Sequence, residues 1–204
     1  MMNKRTYFIF IAASFALLVS SPGRLAYGLV LVVEMNLLVL ASVAFAIFVK
    51  RFEFGNLHNV IALSFVIFAT VLFRQILILF SPVIALTLGF VIFLPPVSVF
   101  LFGNVFAERT PYPSDALRQS LVFSVFALIF FMLRDLLGFG TISFPMPNGI
   151  GEARFFDSRS TAFCSLFASV PGALLLVVLC MAALLTVQCK MNIIEKSEGE
   201  YEID

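Results

Sequence analysis

Charge, cysteine and histidine are all scarce in this chain, and each shortage closes off a class of function. Only 12% of residues are Asp, Glu, Lys or Arg, and their formal sum is +1. Nucleic-acid binding draws on a clustered basic face, which this balance does not supply. The cysteines, Cys164, Cys180 and Cys189, fall in or beside one apolar run, and neither interval between them is a recognised metal-ligand spacing. Packing as small apolar side chains is the favoured reading. The lone histidine, His58, lies in an expected loop, where a solvated side chain is the simplest account. No Gly-x-x-x-x-Gly-Lys motif, nucleophile elbow or His-Glu-x-x-His pattern is present, so soluble-type enzyme chemistry has no visible machinery.

What fills the chain instead is apolar. Hydrophobic residues make up 61% of it and mean hydropathy is +1.08, against roughly 45–50% apolar content in soluble domains. This composition predicts an all-α integral membrane protein. Apolar runs at residues 7–21, 25–49, 59–80, 83–103, 118–138 and 162–188, each bounded by charge, Pro or Gly, predict six transmembrane helices. A hydrocarbon core of about 30 Å asks for about 20 apolar residues per crossing. Residues 1–194 then form one membrane domain, and the acidic stretch Glu195 to Asp204 reads as a disordered, solubilising tail.

The first run is short, and Ser21-Pro22-Gly23-Arg24 breaks it, so a half-helix or a tilted segment is expected. Met1 to Arg5 followed by an apolar run also suits a signal peptide. The next run begins almost at once with no Ala-x-Ala site before it, and the segment is read as retained. Six spans put both termini on one side, which collects Lys4, Arg5, Lys50, Arg51, Arg109, Arg118, Lys190 and Lys196. Positive-inside counting makes that side the cytoplasm. The spans divide into 7–80 and 83–188, three and three, as in inverted-repeat membrane proteins.

Two groups of residues stand out inside these spans. Consecutive prolines, Pro95 and Pro96, fall inside the fourth run; they remove two backbone donors and are expected to break or kink the helix. A simple kink in a packed bundle and a broken helix at a functional centre are both open, since lipid tolerates freed carbonyls only where protein or a cavity satisfies them. The second group is ionisable: Glu34 in the second run, Arg74 in the third, and Arg134 with Asp135 near the end of the fifth. Charge at depth is costly unless paired. Arg134 and Asp135 read first as a topological and hydrogen-bonding anchor, with a transport role as the alternative. Glu34, close to Asn36, reads either as a proton or cation site or as the structural partner of Arg74.

Three segments carry a family resemblance. Ser81-Pro-Val leads to Leu88-Gly89 and on to Gly103; Leu133-Arg-Asp-Leu-Leu-Gly-Phe-Gly-Thr141 closes the fifth run; Ser169-Val-Pro-Gly-Ala-Leu-Leu175 lies in the sixth. In this order they resemble segments of the Rnf/Nqr membrane subunits, whose D and E members carry Leu-Arg-Glu-x-x-Gly-x-Gly-Thr, and the E-type Rnf subunit is the nearest pattern. The resemblance implies a bacterial inner-membrane subunit of a ferredoxin:NAD or NADH:quinone oxidoreductase. Such a subunit couples electron transfer to Na+ or H+ movement beside other membrane subunits, including an opposed homologous one. In that family paired subunits share a two-iron two-sulfur cluster through cysteines on the first and fourth helices. Here the fourth-helix position aligns with Val99, preceded by Ser98 in place of asparagine, and the first falls near Ser14. Neither offers a thiolate, so this chain is expected to bind no cofactor alone. Glu34 is then the ion-coupling candidate and Arg74 its possible counter-ion. A small six-span transporter or substrate-capture subunit, and a structural membrane partner, are the alternatives.

Overall fold

The structure is a computed structural model that describes residues 15–49, 58–101, 113–154, 166–183 and 186. It is mostly helical, and its helices follow the apolar runs. Leu25–Val49 forms α1 and His58–Phe80 forms α2; His58 is therefore the first residue of a helix rather than part of a loop. Pro82–Leu88 forms α3, Leu94–Leu101 forms α4 and Pro113–Phe139 forms α5. Val170–Ala183 is a shorter apolar helix, α6. Of the first run, Phe15–Val19 is described, as one π-helical turn. The segments Leu25–Phe45, Leu63–Phe80 and Leu117–Phe139 are long and apolar enough to cross a membrane. The tail from residue 195 lies outside the described residues.

The fourth run is interrupted, but upstream of its prolines. Gly89, at φ 49°, ends α3, and a 3₁₀ turn over Val91–Phe93 leads into α4. Pro95 and Pro96 sit in the first turn of α4 and are buried. Backbone N–H groups in a first turn have no intrahelical acceptor, so losing two of them there costs no helical bond. The prolines start a helix instead of breaking one. At the other end of α3, Pro82 occupies the first helical position directly after Ser81, which joins α2 to α3.

The all-α expectation needs one correction. Gly140, at φ 66°, ends α5, and its N–H donates to the Leu136 carbonyl at 3.0 Å, a left-handed helix end suited to glycine. The chain then forms an antiparallel hairpin, β1 (Thr141–Met146) and β2 (Gly149–Arg154), with Thr141 opposite Arg154 and Met146 opposite Gly149.

α1 is the centre of the packing. It lies against α5, α2, α4 and β1, leaving Val33, Leu37 and Leu40 exposed as one stripe. Gly28 sets the α1–α5 approach: a Cβ there would meet the Phe131 ring. The π-helical turn packs against α4 and α5.

Candidate functional site

Arg134 and Asp135 tie the end of α5 to four other chain segments. Arg134 is almost fully buried. Its Nη1 donates to the carbonyls of Leu18 at 3.0 Å and Ser21 at 2.8 Å, at the close of the π-helical turn. Its Nε and Nη2 donate to the carbonyls of Phe167 and Ala168, both at 3.2 Å, just before α6. The planar guanidinium fork with its five N–H donors suits carbonyls arriving from two sides. Gly138, one turn on, lets the chain before α6 come close: a Cβ there would lie 2.9 Å from the Ala168 nitrogen.

Asp135 points elsewhere. It is buried, and its Oδ2 accepts from the Ser143 N–H at 2.8 Å, the Ser143 hydroxyl at 2.6 Å and the Leu25 N–H at 3.2 Å. Its Oδ1 accepts from the Thr141 hydroxyl at 3.2 Å. Ser143 Oγ in turn accepts from the Ala26 N–H at 3.0 Å. The carboxylate therefore caps the start of α1, where free N–H groups and the helix dipole favour negative charge, and ties the hairpin to it. The Arg24 side chain pairs with Glu152 of β2, with its guanidinium carbon 4.9 Å from the centroid of the Phe139 ring. These polar contacts tie the end of α5 and the start of α1 to neighbouring segments of the chain.

Glu34 is the opposite case. It lies ten residues into α1, about 14 Å from the first residue at a 1.5 Å rise, and is fully buried. Neither carboxyl oxygen has a hydrogen-bond partner among the described residues. Tyr27, Val30, Leu31 and Leu38, at helical spacing around it, are buried as well. Arg74 does not answer it: the Arg74 Nε is buried without a partner, and Arg24–Glu152 is the ion pair that the described residues form.

Asn36, two residues on, lies almost on the other side of α1 at 100° per residue and works separately. Its Nδ2 donates to Val32 O at 2.9 Å and to Ser124 Oγ at 2.7 Å, while its Oδ1 accepts from Ser120 Oγ at 2.8 Å. This α1–α5 network was not anticipated, although two serines one turn apart in the fifth run are a signal for it. Ser143 and the carbonyls around Arg134 were likewise not singled out, and Thr141 was read as the end of the Gly-x-Gly-Thr stretch rather than as a partner of Asp135. One further buried polar atom, Ser81 Oγ between α2 and α3, has no partner among the described residues.

The residues aligned with the family's cluster ligands do not fit an iron–sulfur cluster. Val99 lies in α4 and carries no donor atom, and Ser14 lies outside the described residues. Ser98 precedes Val99 in the same helix. Among the described residues no group of three His, Cys, Asp or Glu side chains could hold a metal ion. Cys180 is a free, half-buried thiol in α6. No family model matches the chain, and neither a curated protein nor a solved structure does.

Proposed function

We propose that this chain is a multi-pass membrane protein that takes up and releases a proton at Glu34. The carrying observation is that carboxyl, buried deep in an apolar helix with both oxygens unpartnered. An unpaired carboxylate in hydrocarbon is expensive, and side chains of this kind inside spans mark ion pathways. Its buried neighbours on α1 are largely apolar, whereas a metal cation needs several oxygen ligands at once. The neutral acid is the form that suits the site, with a proton as the exchanging species.

The architecture proposed around this site is six spans in two groups of three, with both termini in the cytoplasm. The π-helical turn in the first run packs on α4, which follows the break at Gly89 in the fourth run, and α4 packs on α1, the helix that carries Glu34. An interrupted helix packed on the span that carries a buried carboxyl is in keeping with membrane ion sites built from discontinuous helices.

The wider setting is a membrane subunit of an Rnf/Nqr-like, ion-translocating electron-transport complex in a bacterial inner membrane, beside other membrane subunits. Its support is the ordered set of three motifs. The second reading, a small proton-coupled six-span transporter, is favoured by Val99, which leaves α4 without a thiolate. Purification of the tagged chain from native membranes in mild detergent separates the two settings. Co-purification of flavin and iron–sulfur proteins supports the first, and recovery without them supports the second. Glu34→Gln abolishes proton coupling in either, while wild-type coupling in that variant removes the proton role.

A further inference from the structure

We propose that the outer face of α2 is an interface between two copies of this chain, with Gln75 at its centre. α2 is the least covered of the three long apolar helices: 17% of its apolar window is buried inside the chain, against 50% for α1 and 44% for α5. Its inward side is formed by the buried Val66, Thr70 and Leu77, and the Thr70 hydroxyl is satisfied by the Val66 carbonyl. On the opposite side, Ser64, Phe68, Val71, Gln75 and Leu79 follow one another at three- and four-residue steps and are all exposed.

Gln75 is the residue that lipid alone does not explain. Its carboxamide has no hydrogen-bond partner among the described residues. It lies five residues before the end of α2, about 7.5 Å inside an apolar helix. The Cα–Cβ bond of a helical residue tilts towards the helix N-terminus, which directs this side chain away from the nearer end and towards the middle of α2. An amide held in hydrocarbon is satisfied by a hydrogen bond to another helix.

A second copy is the occupant this chemistry fits. A carboxamide carries both donor and acceptor, so it is its own complement. Two copies with the same orientation in the bilayer are related by a two-fold axis along the membrane normal. That axis brings Gln75 to Gln75 at equal depth, with room for reciprocal N–H···O bonds. The charge on α2 is compatible with this arrangement. Arg74 lies about 100° around the helix from Gln75, and the two-fold places the two guanidinium groups on opposite flanks of the contact.

The test is oxidative cross-linking of the full chain in its native membrane, with Cys164, Cys180 and Cys189 replaced by serine and a single cysteine introduced by Leu79→Cys. Leu79 is 87% exposed on the same stripe. The expected product is a disulfide-linked homodimer. It falls at least tenfold when Gln75→Leu is added, survives Gln75→Asn, and is absent for Val33→Cys on the exposed stripe of α1. Single-molecule photobleaching is expected to count two copies for the wild type and one for Gln75→Leu. A monomeric wild type, cross-linking that ignores Gln75→Leu, or a Gln75-dependent cross-link to a different protein overturns the proposal.

Discussion

Arg134 and Asp135 are neighbours in sequence with opposite charges, yet they do not pair with each other. The guanidinium faces carbonyls from the π-helical turn and from the chain before α6. The carboxylate faces N–H and O–H groups at the start of α1 and on the hairpin. Each charge meets backbone groups of the complementary polarity, so one dipeptide fixes four chain segments at one end of the bundle. Both side chains have their hydrogen bonds made, which separates them from Glu34.

Replacing Arg134 tests the carbonyl side of this anchor. Arg134→Ala strands buried carbonyls from two segments and is expected to cost at least about 3 kcal/mol. Arg134→Lys is expected to recover less than half of that loss, because a single ammonium cannot reach both sides as the fork does. Thermal unfolding in detergent, read by circular dichroism, checks both variants.

The carboxylate side has its own readout. Asp135→Asn turns one acceptor into a donor that faces N–H and O–H groups, with an expected cost of about 2–3 kcal/mol. Because Ser143 links Asp135 to Ala26, Ser143→Ala should loosen the hairpin by a smaller amount in the same direction. Tryptic cleavage after the exposed Arg154 is expected to quicken in both variants, more so in Asp135→Asn. Unchanged cleavage would mean that the hairpin is held by other contacts.

Gly28 tests the helix packing that positions α1. A methyl group from Gly28→Ala would overlap the Phe131 ring, and relieving that overlap is expected to cost about 1–3 kcal/mol. Pairing it with Phe131→Leu makes room and should restore part of the loss. Additive losses in the double variant count against the contact as the cause.

The Asn36 network predicts coupling between helices. Asn36→Ala and Ser120→Ala each remove the same α1–α5 hydrogen bond, made at 2.8 Å. Each single change is expected to cost about 1 kcal/mol, as interhelical hydrogen bonds in membranes do. The double variant should cost less than the sum, measured by unfolding in mixed detergent.

The long elements were legible in the sequence because an apolar run bounded by charge or proline is close to a complete specification of α1, α2 and α5. The hairpin was not read. Thr141 to Met146 is short and mixed, although Pro147-Asn148-Gly149 supplies a turn signal. Pro95 and Pro96 were read by their effect in a helix interior, whereas Gly89 ends the preceding helix and leaves them at a helix start. Arg134 and Asp135 were legible as an anchor, but their partners were not, since backbone carbonyls and N–H groups leave no trace in side-chain identity. Glu34 was legible as a buried acid. Its separation from Asn36 follows from helical phase, and its lack of a bond from Arg74 emerges only in three dimensions.

The most direct test of the proton-site claim is carbodiimide labelling of the intact chain in native membranes, since these reagents modify protonated carboxyl groups held in apolar surroundings. Peptide mass spectrometry then reads the modified position. The account predicts a covalent adduct on Glu34 that weakens as pH rises, is insensitive to sodium, and is absent from Asp135, whose oxygens are occupied by four donors. A Glu34 that stays unmodified at every pH, or is protected by sodium, contradicts it.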